Sequence, residues 1–212
     1  MGRYLTVIGE NNAEYTEKRS KFIATLRHCS TEAEALAFIE EMRSKYWDAR
    51  HNVFAYSIKE GNLSRFSDDG EPHGTAGKPI LDVINGSGIT DAAIVVTRYF
   101  GGILLGTGGL VRAYSKSARD AVTSADIAEM IGCVVFETEC DYTDHAKLVS
   151  LIEKSGAELE DSIFSDRVKL IYFMKEELVE DFKLKLKERF SAKLTAKEIE
   201  KRIIPIKLEK NL

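Results

Sequence analysis

The chain has 212 residues, of which 44% are hydrophobic and 30% charged, and its formal net charge is −4. These values indicate a globular protein with one large core or two smaller ones, and they argue against a protein coated in positive charge for non-specific DNA binding. No stretch reaches the roughly 20 consecutive apolar residues of a membrane-spanning helix, and the N-terminus turns polar too early for a signal peptide. The three cysteines form no CxxC pair, which favours buried thiols in a reducing compartment and a cytoplasmic location.

The N-terminal part of the chain predicts an α/β domain. Candidate strands run from Leu5 to Ile8 and from Lys21 to Leu26. Thr31 and Glu34 match a capping box, which predicts that a helix begins there. Alternation from Asn52 to Lys59 then predicts a strand.

The next segment, 60–78, is rich in turn-forming residues. Lys78 to Ile84 is compatible with a short helix or a strand. Ala92 to Tyr99 is the strongest candidate for a buried strand, because it is almost continuously apolar.

After Gly132 the pattern begins again, so we place a first domain at 1–131 and a second at 132–212. The elements expected in the second are a strand at Cys133–Cys140, a helix capped by Asp141 or Thr143 and ending near Ser155, strands at Ala157–Phe164 and Arg167–Met174, a helix at Glu176–Phe190, and a last strand within Lys193–Ile206. The resulting order β-α-β-β-α-β is that of a ferredoxin-like unit.

A glycine-rich segment follows the buried strand and leads into a helical pattern. Glycines let backbone N–H groups approach a ligand, and a helix N-terminus attracts anions. Three cations three or four residues apart share one face of that helix. The segment therefore predicts an anion or nucleic-acid site formed by Arg98, Tyr99, Gly101, Gly102, Gly106, Gly108, Gly109, Arg112, Lys116 and Arg119.

A purely structural interpretation of this segment stays open. The glycines could simply let the helix pack closely on the sheet, while Lys116 pairs with Asp120. The opposite helix face, with Val111, Tyr114, Ala118 and Ala121 or Val122, suits a core. The segment has neither the GK[ST] of a P-loop nor the acidic residue of a dinucleotide-binding fold.

A second polar loop, 67–79, concentrates carboxylates, one histidine and turn residues. The candidates for a cleft on this loop and the preceding strand are His51, Asp68, Asp69, Glu71, His73 and Lys78. Such groups could bind a metal or perform acid–base chemistry, but the spacing fits no zinc or EF-hand motif. An ordered turn-rich loop without metal, cofactor or catalytic residue is the simpler expectation.

Four motifs together resemble the IMPACT/YigZ family: RYFGGILLGTGGLVRAYSKSARDA (98–121), SDDGEPHGTAGKP (67–79), KRSKFIA (18–24) and ARHNVFAY (49–56). The resemblance covers nearly the whole chain. It implies an α+β fold whose N-terminal domain is similar to the second domain of small-subunit ribosomal protein five, with a left-handed βαβ crossover. It also implies a C-terminal ferredoxin-like domain similar to domain five of elongation factor G.

These analogies point to translation and RNA, although fold alone does not determine function. The first hypothesis is a translation-associated regulator that binds RNA or the ribosome through the basic helix face. The second is an enzyme acting on a phosphorylated small molecule, which requires the glycine loop and the acidic loop to converge in one pocket. The third is a protein-interaction module that uses the C-terminal sheet, marked by an uncovered apolar patch.

Overall fold

The computed structural model describes residues 3–208, which form two compact units. The first comprises Tyr4–Glu129 together with 205–208, and the second comprises Met130–Ile204 together with Arg3. The predicted limits of 1–131 and 132–212 stay a prediction of where independent domains meet.

The first unit contains a five-stranded sheet and three α-helices. Its elements in chain order are β1 (Tyr4–Val7), β2 (Glu10–Glu17), β3 (Ser20–His28), α1 (Glu32–Lys45), β4 (His51–Ile58), β5 (Leu63–Ser67), α2 (Gly77–Gly86), β6 (Ala92–Tyr99) and α3 (Gly106–Ser124). The sheet order is β2-β3-β6-β4-β5, with antiparallel neighbours throughout. Strand β1 lies outside this sheet, and the Ile8 N–H donates to the Asp126 carbonyl at 2.9 Å.

Both faces of the central strands are covered, which explains the continuous apolar run of β6. Ile94 and Val96 belong to the larger core, which includes residues of α2 and α3. Ala93 and Val95 face the other way and join the core that α1 contributes to. In a strand that is buried on both faces, apolar and polar residues do not alternate. The continuous apolar run from Ala92 to Val96 is therefore a clear signal of such a strand in the sequence.

Most of the expected elements of this unit are confirmed, and α2 resolves the ambiguous segment after Lys78 as a helix. The helix α1 has the predicted capping box, since the Glu34 N–H donates to Thr31 Oγ1 at 3.2 Å and the Ser30 N–H to Glu34 Oε2 at 2.8 Å. Val111 was wrongly assigned to the core face of α3, because it is exposed.

Strand β2 is joined to β3 by the two-residue turn Lys18-Arg19. Glu17 pairs directly with Ser20 across the hairpin, and both turn residues have positive φ, 45° and 67°. Two central residues with positive φ are the mark of a type I′ turn. The turn presents two cations beside the segment that follows β6.

The second unit has the predicted order β-α-β-β-α-β. It consists of β7 (Ile127–Cys140, which begins in the first unit), α4 (Tyr142–Lys154), β8 (Glu158–Phe164), β9 (Val168–Lys175), α5 (Val179–Arg189) and β10 (Lys197–Lys207). Strand β9 lies between β7 and β8, and β10 pairs with β7 on its other side. This is the antiparallel arrangement of a ferredoxin-like sheet. Its core contains the predicted inward residues of both helices.

The fold class is thus confirmed as α+β. Asp141 does precede α4, although its side chain makes no cap hydrogen bond. In the part of the chain that the structure describes, no helix is both long enough and apolar enough to cross a membrane.

Candidate anion-binding sites around helix α3

The glycines between β6 and α3 have three separate structural roles. Gly102 and Gly106 have positive φ, 81° and 70°, a conformation that glycine adopts without strain. Gly101 packs against the β2–β3 turn, where an added Cβ would lie 2.0 Å from the Arg19 carbonyl carbon. Gly108 and Gly109 lie in the first turn of α3. This turn has no side-chain cap and no acidic residue, so its N–H groups are available to an anion.

A cavity of about 500 Å³ lies between α3 and the end of the β2–β3 hairpin. We call it the basic cavity. Its charged lining residues are Lys18, Arg112, Lys116, Arg119 and Glu17, with Tyr15 beside them. The three predicted cations of α3 therefore share one concave surface, and the hairpin adds a fourth.

Most of the cations in the basic cavity are not neutralised. Lys116 pairs with Asp120 at 2.6 Å, as the structural interpretation expected. Within residues 3–208, Lys18, Arg112 and Arg119 make no ion pair and no side-chain hydrogen bond. Glu17 is the one carboxylate in the lining.

The Tyr15 hydroxyl donates to Glu17 at 2.7 Å. This hydrogen bond raises the pKa of Tyr15, while the positive charge of Arg112 acts in the opposite direction. Glu17 therefore accepts a hydrogen bond from Tyr15, and the charge of Arg112 acts on Tyr15. Sequence analysis missed Tyr15 and Glu17 because it missed β2. The period-two alternation of ENNAEYTE was the available signal, with Asn11, Ala13, Tyr15 and Glu17 half-buried in turn.

Arg98 was grouped with these cations, but the structure places it elsewhere. Its side chain is 7% exposed and ion-paired with Glu71, which is 4% exposed, at 2.6 Å between Nη1 and Oε1. The Tyr114 hydroxyl donates to the same oxygen at 2.7 Å. Burial and the Glu71 charge raise the pKa of Tyr114 above its ordinary range. The three side chains form one buried cluster that joins β6, α3 and the 67–79 loop.

Arg98 and Glu71 of this cluster line a second cavity of about 390 Å³, at the N-terminal end of α3. We call it the Arg98 cavity. Here the glycine loop and the acidic loop do converge, as the enzyme hypothesis required. Its lining residues are Arg50, His51, Glu71, Pro72, Arg98, Phe100, Leu104, Leu105, Gly106, Thr107 and Leu110.

The carboxylates of the two aspartates in the acidic loop accept hydrogen bonds from backbone N–H groups. Asp68 accepts from the Gly74, Ala76 and Gly77 N–H groups at 2.8, 3.1 and 2.8 Å. Asp69 accepts from the Asn52 N–H at 2.6 Å. Carboxylates bound to several N–H groups stabilise a loop and the start of a helix, here α2.

Two further predicted site residues of this loop do not line the cavity. His73 is 99% exposed at its side chain and lies 3.8 Å from Asp68, while Lys78 pairs with Asp82 on α2. Of the predicted site residues on this loop, only Glu71 lines the Arg98 cavity, which His51 of β4 also lines. No cluster of three or more His, Cys, Asp or Glu side chains suited to a metal occurs within residues 3–208.

Tyr99 was predicted to belong to the anion or nucleic-acid site. Its hydroxyl donates to Asp48 at 2.8 Å. Burial and Asp48 raise the pKa of Tyr99 to about 12. Tyr99 lines neither cavity, whereas Phe100, which is 53% exposed, lines the Arg98 cavity.

The C-terminal sheet exposes several large apolar side chains on its strands. They are Leu159, Ile163 and Phe164 on β8 and Ile199 on β10. The Phe164 ring contacts His145 and Tyr142 of α4, with centroids 5.5 and 6.4 Å apart. These are exposures of single side chains, and a protein-interaction role of this sheet stays a prediction.

Comparison with known families assigns both halves of the chain. The Impact N-terminal domain matches residues 18–122, a range that contains the whole lining of the Arg98 cavity and that of the basic cavity except Tyr15 and Glu17. A domain of unknown function, DUF1949, matches residues 138–193, within the ferredoxin-like unit.

Similar proteins include "IMPACT family member YvyE" of Bacillus subtilis, 36% identical over 92% of this chain and 90% of that protein. "IMPACT family member YigZ" of Escherichia coli is 36% identical over 80% of this chain and 84% of its own length. A crystal structure described as that of a hypothetical protein is 32% identical and covers 94% of this chain and 98% of its own, with a TM-score of 0.61.

Proposed function

The chain belongs to the IMPACT family, and on that premise we propose that it is a cytoplasmic, translation-associated protein that binds RNA through the basic cavity. The observation that carries the proposal is the clustering of Lys18, Arg112 and Arg119 around one concave surface without ion-pair partners within residues 3–208. The whole chain has a net charge of −4, so this local concentration is not a consequence of a basic composition.

The chemistry of the basic cavity suits a phosphate backbone. Arginine presents a planar fork of donors that matches phosphate oxygens, and clustered cations release counterions when they bind nucleic acid. Tyr15 lies among the cations and offers a ring face on which a base can stack. Single-stranded or looped RNA suits such a site better than a regular duplex, whose bases are not accessible for stacking.

The test is fluorescence anisotropy with a labelled single-stranded RNA at several salt concentrations. If the four cations each contact a phosphate, log K falls against log salt with a slope of about −2.8. The double variant Arg112→Glu and Arg119→Glu should lose most of the affinity and reduce the slope by about 1.4.

A matched control changes the net charge equally in the second unit. Lys147→Glu with Lys201→Glu alters two exposed lysines of the second unit, with side chains 65% and 67% exposed. This variant should keep the wild-type affinity and slope. Undetectable binding at low salt, or an equal loss in both double variants, would show that the basic cavity does not bind RNA.

The enzyme hypothesis gains one observation, the convergence of the two loops at the Arg98 cavity. The carboxylate that reaches this cavity, Glu71, already accepts from Arg98 and Tyr114. Both hydrogen bonds end on Oε1, so protein donors already occupy this oxygen and it is not free to take a proton from a substrate. The arrangement therefore favours ligand binding over acid–base chemistry. Contact of a protein partner with the C-terminal sheet stays a prediction.

A further inference from the structure

Arg98 has hydrogen-bonding capacity that its protein neighbours do not use. Its Nη1 donates to Glu71, while its buried Nε has no hydrogen-bond partner within residues 3–208. The guanidinium lies over the rings of Phe22 and Phe100, with 5.5 and 5.7 Å to the ring centroids. The N–H groups of Arg98 lie in the plane of the guanidinium, and an aromatic ring stacked on that plane does not accept a conventional hydrogen bond from them. A buried guanidinium with unused donors is unfavourable unless another acceptor reaches it, and the same side chain lines the Arg98 cavity.

The first turn of α3 faces the same cavity. Gly106 and Thr107 line it, and they begin a helix of 19 residues that has no side-chain cap. The unpaired N–H groups and the positive end of the helix dipole favour an anion at this position. The helix terminus and the Arg98 side chain come from different elements, and both line the same cavity.

The charge of the cavity is positive even though Arg98 is balanced by Glu71. Arg50 lines the mouth of the cavity and makes no ion pair within residues 3–208. His51 contacts the Asp69 carbonyl through Nδ1 at 2.8 Å. A carbonyl only accepts, so Nδ1 carries the proton, and the orientation of the His51 ring is fixed.

The rest of the wall is apolar. Phe100 and Leu104 are 53% and 83% exposed, although they adjoin the buried Arg98. Leu105, Leu110 and Pro72 complete this side. An anionic head group alone would leave these side chains in water, whereas a ligand with a planar body would cover them. Exposed aromatic and aliphatic side chains next to a phosphate site are suited to a nucleobase.

We propose that the Arg98 cavity binds a nucleoside monophosphate, with the phosphate against Arg98 and the first turn of α3 and the base against Phe100 and Leu104. The volume of about 390 Å³ lies in the range of about 300–1,000 Å³ usual for small-molecule sites. The site is separate from the cations that carry the proposed RNA binding. Its ligand is a free mononucleotide or the phosphorylated terminal nucleotide of an RNA, which share the same chemistry.

The test is calorimetric titration with adenosine 5′-monophosphate, adenosine and inorganic phosphate. We expect saturable binding of the monophosphate, and binding of adenosine that is weaker by at least about tenfold, because the phosphate contacts are lost. An RNA tetranucleotide with a 5′-phosphate, compared with its 5′-hydroxyl form, identifies the source. A preference for the phosphorylated tetranucleotide over the free monophosphate assigns the site to RNA ends, and the reverse assigns it to a free nucleotide.

Two variants test the assignment of residues. Arg98→Lys keeps a cation beside Glu71 but removes the planar fork, and it should weaken monophosphate binding by about tenfold or more. Leu104→Asp changes a residue that is 83% exposed, so the fold is retained while a negative charge enters the cavity mouth. It should also weaken binding by about tenfold or more.

The control is Arg112→Glu with Arg119→Glu, which should leave monophosphate binding unchanged. Loss of RNA binding in this control with retained nucleotide binding separates the two sites. The proposal is overturned if neither the monophosphate nor the 5′-phosphorylated RNA binds at about 5 mM. It is also overturned if adenosine binds as tightly as its monophosphate, or if Leu104→Asp binds like the wild type.

Discussion

Replacing Tyr114 by phenylalanine removes one hydroxyl from the core and leaves the ring in place. The ring is fully buried and packs edge-on against Phe22, with centroids 5.2 Å apart at 86°, a contact that phenylalanine keeps. The hydroxyl donates at 2.7 Å to Glu71, which also pairs with Arg98. Because the acceptor is a charged and buried group, we expect Tyr114→Phe to lower the free energy of unfolding by about 1.5–3 kcal/mol.

Tyr172 provides a matched control in the second unit. It is equally buried, and its hydroxyl is 2.8 Å from the hydroxyl of Thr138. Both groups of this pair are neutral. We therefore expect Tyr172→Phe to lower the free energy of unfolding by only about 0.5–1.5 kcal/mol. The two substitutions remove the same atom from the same residue type, so the difference between them isolates the charge of the acceptor.

The measurement is urea unfolding followed by circular dichroism, with each substitution fitted to the transition that it shifts. A double-mutant cycle of Tyr114→Phe with Glu71→Gln should give a coupling energy of about 1 kcal/mol or more, because Glu71→Gln removes the negative charge that strengthens the hydrogen bond from Tyr114. A smaller loss for Tyr114→Phe than for Tyr172→Phe, or no coupling with Glu71, would refute the charged buried cluster.

Three further predictions concern backbone packing, capping and thiols. Gly101→Ala should destabilise the fold by at least about 2 kcal/mol, because the new Cβ would lie 2.0 Å from the Arg19 carbonyl carbon; unchanged thermal unfolding would contradict this close approach. Glu34→Gln should cost about 1 kcal/mol at neutral pH, since the Ser30 N–H lowers the pKa of Glu34 from its ordinary 4.5. That stability is present above the ordinary pKa and is lost as pH falls through the lowered one, so wild type and variant should converge in acid; a constant difference would argue against it. Burial raises the pKa of Cys29 to about 12 and all three cysteines are buried, so a thiol reagent at pH 8 should label them only after unfolding, and rapid native labelling would disprove this.

Local patterns predicted most of the elements and missed two strands, β2 and also β5, which lies in the segment 60–78 that was expected to be rich in turns. β6 and α1 were predictable because a run of apolar residues and a capping box are local signals. β2 was missed because its sequence, ENNAEYTE, contains almost no apolar residue. Its place in the sheet depends on pairing with β3 and on packing against α3, which are properties of the fold.

The sequence predicted several residues of the candidate site, but not which of them share a cavity. The α3 cations were found from their spacing, since three or four residues along a helix return to the same face. Arg98 is next to the glycine segment in sequence, yet it does not line the basic cavity. Its side chain instead donates to Glu71, which is 27 positions away in the chain. No local pattern contains that partner. Likewise, Asp68 resembles a catalytic or metal-binding carboxylate until its N–H partners are seen.

The Lys18-Arg19 turn supplies positive charge to the surface at the expense of protein stability. Asparagine and glycine adopt the positive φ of such a turn with little strain, whereas other residues there carry a cost of about 1 kcal/mol or more each. A chain selected for stability alone would be expected to replace both cations. Lys18→Asn with Arg19→Gly should therefore give a hairpin that is harder to unfold and a basic cavity that has lost its Lys18 charge. If the basic cavity binds a polyanion, the strain in this turn is the cost of holding a lysine at its edge.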